Sequence, residues 1–304
     1  MSYRWPEFST LFGKLSDRVG FDSKSYFFRQ YLRFTLRNLL ARKQINPFVE
    51  FVNANPRRIA LFSKHLGQAH WVVCKDFLNR KFSAQERLEY VKYNLLAIED
   101  LLDEDLFFRL LQGDQEVVFS LSWGLECILS FNGAFEEGFL ALRLRSEGEA
   151  FFHCSLAFAP FEGGRVIFVP CMQGLGNGDE VREKIRETTK KNFGLRPQNL
   201  LLETLRILAR FWGISTILAV QKTQQVRYKP FGKKNYFVDY DAMWRDLGGE
   251  FNGEYFELVE VKQKDLSEIP SQKRSMYKKR FALLQDLQDT LPTNFKNIGL
   301  KQCL

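Results

Sequence analysis

The spacing of apolar residues changes period twice along the chain, and this constrains the fold more than any other feature of the sequence. From residue 1 to about 113 the spacing is helical. Tyr26 to Arg42 carries Phe27, Phe28, Tyr31, Leu32, Phe34, Leu39 and Leu40, interleaved with Arg29, Arg33, Arg37 and Arg42. Such a stripe suits a helix packed on a core or one lying on a membrane surface, and base rates favour the core. Ser83-Ala-Gln-Glu86 is a capping box that opens another helix. After Gly113 the period falls to two. Short runs at 117–123, 125–131, 139–145, 151–158 and 166–170 predict an antiparallel meander, with Asn132-Gly133 as its strongest hairpin signal. The helical period returns at 179–193 and 197–213. A strand at 215–220, a helix at 239–247, a strand at 255–261 and a basic helix from Gln272 follow, the last one ended by Pro292. The expected fold is α+β. An N-terminal helical region, 1–113, precedes a mostly antiparallel sheet with helices on its faces, 114–304.

Composition narrows the function classes. Thirty Phe in 304 residues predict a large, ring-rich core. The net charge of +8 favours anionic partners. The charge is dispersed and no nucleic-acid motif is present, so DNA is not an expected partner. Five cysteines at 74, 127, 154, 171 and 303 form no CxxC pair, which points to reduced thiols in a cytoplasmic protein. No apolar run reaches 18 residues, which excludes a membrane span. His65 and His70 are five apart, where a helical metal pair needs three or four, so no metal is expected. His153 reads as a core or face residue of a strand. Glu203 interrupts an apolar helix and is expected to pair with Arg206.

The most informative stretch runs from Val166 to Asp179, where a buried strand enters a glycine-rich turn before a helix. Gln173, Gly176 and Gly178 fit the pattern Q-x-x-G-x-G, which resembles the loop of GNAT-type acyltransferases. The order of meander, glycine loop, helix, strand, helix and two strands also resembles theirs, with the 197–212 helix as an addition. The resemblance implies that Gln173, Gly174, Gly176, Asn177 and Gly178 cradle a cofactor pyrophosphate on backbone N–H groups. Asp179 and Glu180 at the exit would repel a phosphate. The comparison further requires 215–220 to pair in parallel with 165–170.

A second resemblance covers roughly residues 113 to 290. Glu137-Gly138, Cys171-Met-Gln-Gly174, Gly194-Leu-Arg-Pro197, Ile217-Leu-Ala-Val220, Asp239-Tyr-Asp-Ala-Met-Trp244 and Tyr277-Lys-Lys-Arg280 together resemble the VirK/YbjX family. That family is associated with bacterial virulence, envelope remodelling and resistance to antimicrobial peptides. Its pattern places a histidine just beyond the Ile217–Val220 strand. Gln224-Gln225 stands there in this chain, and an amide cannot act as a general base.

Together the resemblances imply an acyl- or aminoacyl-transferase acting on a lipopolysaccharide-type envelope molecule. Its donor would be a coenzyme A thioester, acyl carrier protein or aminoacyl-tRNA, and no metal would be needed. Glu137, Asp239 and Tyr240 are the catalytic candidates. Lys273, Arg274 and Arg280 are the candidates for holding an anionic envelope precursor or inner-leaflet lipid, with Arg274 or Arg280 expected against Asp239 or Glu137. The alternative is a non-catalytic factor that binds anionic lipid or a partner protein. Either would be cytoplasmic, with peripheral attachment at the inner membrane.

Overall fold

Local capping chemistry sets the boundaries of the N-terminal helices. A computed structural model describes residues 2–14, 16, 21–176, 178–228, 238–258 and 265–302. The helices are α1 (Phe8–Phe12), α2 (Phe21–Leu40), α3 (Arg42–Asn53), α4 (Pro56–Lys64), α5 (Leu66–Cys74), α6 (Ala84–Leu101) and α7 (Glu104–Gln112). Asn55 accepts from the Arg57 N–H ahead of Pro56, and Ser83 and Glu86 close the predicted capping box of α6. Asp103 caps α7, and Gly113, at φ +109°, ends it in the left-handed conformation.

The strands are β1 (Glu116–Ser120), β2 (Leu125–Phe131), β3 (Leu140–Ser146), β4 (Glu149–Phe161), β5 (Gly164–Val169) and β6 (Met172–Gly174). Then come α8 (Asp179–Lys191), α9 (Pro197–Phe211), β7 (Ile217–Ala219), α10 (Tyr240–Asp246), β8 (Gly249–Phe251), β9 (Phe256–Leu258) and α11 (Ser271–Ile298). The sheet order is β1-β2-β3-β4-β5-β7-β9-β8, with β6 paired to β4. Among the described residues only β5 and β7 pair in parallel, Ile167 against Ile217, and the remaining pairings are antiparallel. The required parallel pairing of the 215–220 segment is therefore present. The strand expected at 255–261 is seen as β9, and residues 259–261 lie outside the described residues.

Two boundaries differ from expectation. Eight residues, 132–139, connect β2 and β3 in place of a two-residue turn. Phe135 and Phe139 pack at 5.0 Å and draw this connection into the core, while the Asn132 amide donates to Ser155 Oγ at 3.0 Å. Pro292 does not end α11, which continues to Ile298. A proline inside a helix costs about 3 kcal/mol. Burial of Leu287, Leu291 and Phe295 on either side, with Phe211 of α9 at 5.3 Å from Phe295, outweighs that cost.

One core runs from Tyr3 to Leu300, so the N-terminal helices and the sheet share it. The 13-residue β4 is its spine. β3 covers one edge of β4 only as far as Leu156, and the edge beyond is satisfied by a side chain. Asn94 of α6 donates to the Phe158 carbonyl and accepts from the Phe158 N–H, both at 2.8 Å, as a neighbouring strand would. Asn94→Ala strands both groups in the core. At about 1–3 kcal/mol per buried unsatisfied group, the variant is expected to lose about 2–4 kcal/mol in urea unfolding.

Candidate functional site

Buried polar side chains are the informative exception in a core of this kind. Asn132, Glu137, His153, Ser155, Gln224 and Gln225 are all buried, and Glu137 meets His153 and Gln225 at one point beside β4. Register explains part of this. Arg143 pairs with His153 and Ala141 with Ser155, so alternation puts Arg143, His153 and Ser155 on one face.

Three features turn the reactive side chains toward that point. A 3₁₀ turn, Phe135–Glu137, carries Glu137 inward. Gly138 ends the turn at φ +105°, where an added Cβ would lie 2.8 Å from the Leu156 carbonyl oxygen. Only glycine lets the turn rest this closely on β4. The second feature is a β-bulge. Ala157 pairs with Phe168 and Cys154 with Met172, so three steps along β4 match four steps along β5 and β6. The extra residue falls at Pro170-Cys171, where the Cys171 carbonyl accepts from Ser155 N–H at 2.8 Å. The third feature is α10. Asp239 caps it through Ala242 N–H, its first residue Tyr240 reaches β6, and Trp244 donates to the Val220 carbonyl at 2.8 Å.

The resulting geometry is close. Cys171 Sγ lies 3.6 Å from His153 Nε2 and 3.1 Å from the Tyr240 hydroxyl. Ligand atoms of Glu137, His153 and Cys171 all lie within 4.8 Å of one another. Tyr240 also donates to Gln173 Oε1 at 3.4 Å. Gln225 Nε2 donates to Glu137 Oε1 at 3.0 Å, and Arg227 Nε meets the same oxygen at 3.1 Å. The outer NH2 of Arg227 bonds Glu136 at 3.1 Å.

Burial dominates the electrostatics. It raises the Glu137 carboxyl above the ordinary carboxylate range, and the Arg227 charge pulls it back only in part. It pushes the Cys171 thiol well up, assisted by the Glu137 charge and opposed by the Tyr240 hydrogen bond. The His153 imidazole drops to about 4, through burial first and the charges of Arg143 and Arg227 second. At neutral pH this site therefore holds a neutral thiol and a neutral imidazole. His153 and Cys171 join oxygen, nitrogen and sulfur donors in one metal-capable set with Glu137.

The structure brings Glu137, Tyr240 and Gln173 of the sequence candidates together. Asp239 is a helix cap, 61% exposed at its side chain and 3.9 Å from Lys222 Nζ. Gly174 packs under α8, where an added Cβ would meet Val181 at 3.2 Å. Gly176 is exposed at φ +97°, Gly178 precedes α8 without a side-chain cap, and Asn177 lies outside the described residues. On α11 the expected pairing with Asp239 or Glu137 is not made. Arg274 donates to the carbonyls of Ile269 and Ser267, and Arg280 donates twice to Phe193 O at the end of α8. The cause is the packing of α11 on α9 and β1, which points its first turns at α8 and the 266–269 turn. Lys273 is exposed. Arg280 lines a surface cleft of about 360 Å³ with Gly194, Arg196 and Asp246. Glu203 pairs with Arg206 at 2.5 Å, as expected. Sequence reasoning missed His153, Cys171, Gln225 and Arg227 as site residues. Only the bulge aligns the first two, and only the turn after β7 supplies the others.

Fold and site define a mixed α/β protein with a large, mostly antiparallel sheet and a buried acid–imidazole–thiol centre. The chain belongs to the family described as "Protein of unknown function (DUF535)", whose pattern it matches over residues 23–293. Its relatives bear out the VirK/YbjX resemblance. It is 24% identical to YbjX of Escherichia coli K12 over 239 residues, 73% of this chain and 70% of that protein. It is 29% identical to "Membrane protein LapB" of Mannheimia haemolytica over 225 residues, 73% of this chain and 93% of that one. A protein of Haemophilus influenzae Rd is 31% identical over 294 residues, 94% of each chain. No solved structure matches. Among the described residues no helix is long and apolar enough to cross a membrane.

The Glu137–Arg227 contact makes a measurable prediction. Arg227→Ala leaves a buried carboxylate with Gln225 as its neutral donor. Because Arg227 is half-exposed, the expected loss is about 1–2 kcal/mol at pH 7, below that of a fully buried pair. Adding Glu137→Gln removes the charge that needed a cation, so the double variant should recover most of that stability in urea unfolding.

Proposed function

We propose that the chain is a GNAT-like acyl- or aminoacyl-transferase acting on a bacterial envelope molecule. The observation that carries this reading is the divergence of the parallel pair β5 and β7. They pair from Ile167 to Val169, after which the bulge turns the first strand onto β4 as β6. Beyond that point β6 and β7 are unpaired, and this split in the sheet, bridged by Tyr240 and Trp244 of α10, is the opening toward the glycine turn and α8 that the reading uses. With α9 as an addition, the sequence of meander, glycine loop, helix, strand, helix and hairpin follows the order of the acyltransferase resemblance, and β9 lies next to β7.

In this reading the donor thioester lies in the opening. Its phosphates meet backbone N–H groups of the glycine turn and the uncapped first turn of α8. An amine or hydroxyl of the acceptor attacks the thioester carbonyl, the C–S bond breaks, and the proton that the acceptor loses passes to the leaving thiolate through the Tyr240 hydroxyl, which ends neutral as it began. Gln173 orients that hydroxyl. Most of the acceleration then comes from positioning. Lys273, Arg274 and Arg280 remain proposed contacts for an anionic acceptor, and Arg280 is the one of them that lines the cleft at Gly194.

Coenzyme A, an acyl-coenzyme A, acyl carrier protein or a charged tRNA is expected to raise the melting temperature. A hundredfold excess over Kd contributes about 2.7 kcal/mol, or roughly 5 °C for a chain of this size. Gly178→Val is the cleaner probe of the turn, because Gly178 is extended at φ −168° and Gly176 is not. That variant should fold like the parent and lose the shift. An unshifted melting temperature with all four ligands rejects the transferase reading.

A membrane-bound acceptor is favoured by α2. Seven of the ten large apolar side chains that are exposed among the described residues lie on this helix, with Leu32 at 68% and Leu40 at 72%. Its other side packs through Phe27 and Phe34 on Phe8 of α1, and Phe34 stacks on His70. Lys24, Arg29 and Arg33 flank the exposed stripe, a combination suited to an anionic lipid surface. The chain is expected to co-sediment with phosphatidylglycerol-containing vesicles and not with phosphatidylcholine alone. Leu32→Glu with Leu36→Glu should weaken that binding at least tenfold and leave the melting temperature unchanged, because both side chains are exposed.

A further inference from the structure

We propose that Glu137, His153 and Cys171 hold a divalent transition-metal ion of the zinc class. The site borders the transferase reading at Tyr240, but it does not rest on that reading and survives its failure. It rests on the geometry of three residues brought from a 3₁₀ turn, the middle of β4 and the bulge.

The spacing fits. A tetrahedral ion bound by imidazole at about 2.0–2.1 Å and thiolate at about 2.3 Å separates those two atoms by about 3.5 Å. Cys171 Sγ and His153 Nε2 are 3.6 Å apart. The third ligand atom, from Glu137, is within 4.8 Å of both, so modest side-chain rotation closes the set. Thiolate, imidazole and carboxylate together select zinc-like ions over magnesium or calcium, which take oxygen alone.

Charge also fits. The thiolate and the carboxylate neutralise a divalent ion, and Cys171 releases one proton to solvent as it binds. The nearby Arg227 cation is shared with Glu136 at 3.1 Å, so it does not stand unbalanced against the ion. Gln225 and Arg227 both address Glu137 Oε1. They fix the carboxylate as outer-shell groups do and leave Oε2 unclaimed by either.

A second, independent observation points the same way. His153 is 94% buried, and its Nδ1 has no hydrogen-bond partner. Its Nε2 lies 3.6 Å from the Cys171 thiol, a weak partner, and the ring has a backbone contact to Gln173 besides. A buried imidazole left this poorly satisfied is costly, and a bond from Nε2 to a metal would offset that cost. The Tyr240 hydroxyl, 3.1 Å from Sγ, lies beside the remaining corner of the tetrahedron, where a water or the phenol oxygen completes the shell.

The test uses the full chain. Elemental analysis of protein purified without chelator is expected to find about one zinc per chain. Cobalt added to chelator-stripped protein is expected to give a near-ultraviolet thiolate-to-cobalt band that saturates at one equivalent. Cys171→Ser, a near-isosteric change, should abolish the band, and His153→Gln should weaken cobalt binding at least tenfold, both with an unchanged far-ultraviolet spectrum. If Cys171→Ser does not fold, the response of His153→Gln decides. The proposal is overturned if no metal co-purifies and neither zinc nor cobalt binds stoichiometrically. It is equally overturned if binding persists unchanged in both variants.

Discussion

The bulge at Pro170-Cys171 is the constraint on which the rest of the site depends. Without it, β5 would continue along β4 in one register, and every side chain after Val169 would keep a strict alternation. One extra residue breaks that alternation beside Ser155 and puts Cys171 against His153 and Tyr240. It also keeps β6 apart from β7, because the ladder that β5 and β7 share ends at Val169 and Ala219. Proline suits this position because it has no N–H to leave unpaired.

Around that break the protein buries polar groups and satisfies them with partners far away in sequence. Glu137 is held by Gln225 and Arg227, across 88 and 90 positions. Asn79 donates to Gln224 Oε1 at 2.9 Å across 145 positions. A network of this kind contributes less to net stability than to a single arrangement, because a partly satisfied version would carry stranded buried groups. The turn after β7 is accordingly tied to the N-terminal helices by the Arg80 N–H on the Gln224 carbonyl at 2.9 Å. The helical region thus helps to position the site as well as to cover the sheet.

The exposed face of α2 has a different physical origin. The helix buries Phe27 and Phe34 in a small aromatic cluster with Phe8, set apart from the main core. Tyr31 also touches Phe8, but it and six other large apolar side chains of the helix stay at least half exposed, so the helix is amphipathic about two directions. The sequence pattern alone could not separate a core helix from a surface-seeking one, because both need a broad apolar stripe. Only packing settles which part of the stripe is used.

Much of the architecture was legible in the order of residues. The two changes of period, the capping box at Ser83, the cap at Asp239 and the glycine at 113 act within a few residues of themselves, so they report helices and strands directly. The parallel pairing of β5 and β7 was also legible, since a strand, a helical stretch and a second buried strand leave little other choice. Glu137, Gln173 and Tyr240 could be named as candidates from the residues that carry the family resemblance. His153 could not, and Cys171, though it opens one of the motifs of the resemblance, carried no sign of a role. In the sequence they sit inside apolar runs and look like core, because what makes them reactive neighbours is a register shift between strands. Likewise the fate of Arg274 and Arg280 was set by where α11 docks. Local propensity and period determine which segments form, whereas long-range register and docking decide which side chains meet, and those depend on contacts that no short stretch of sequence contains.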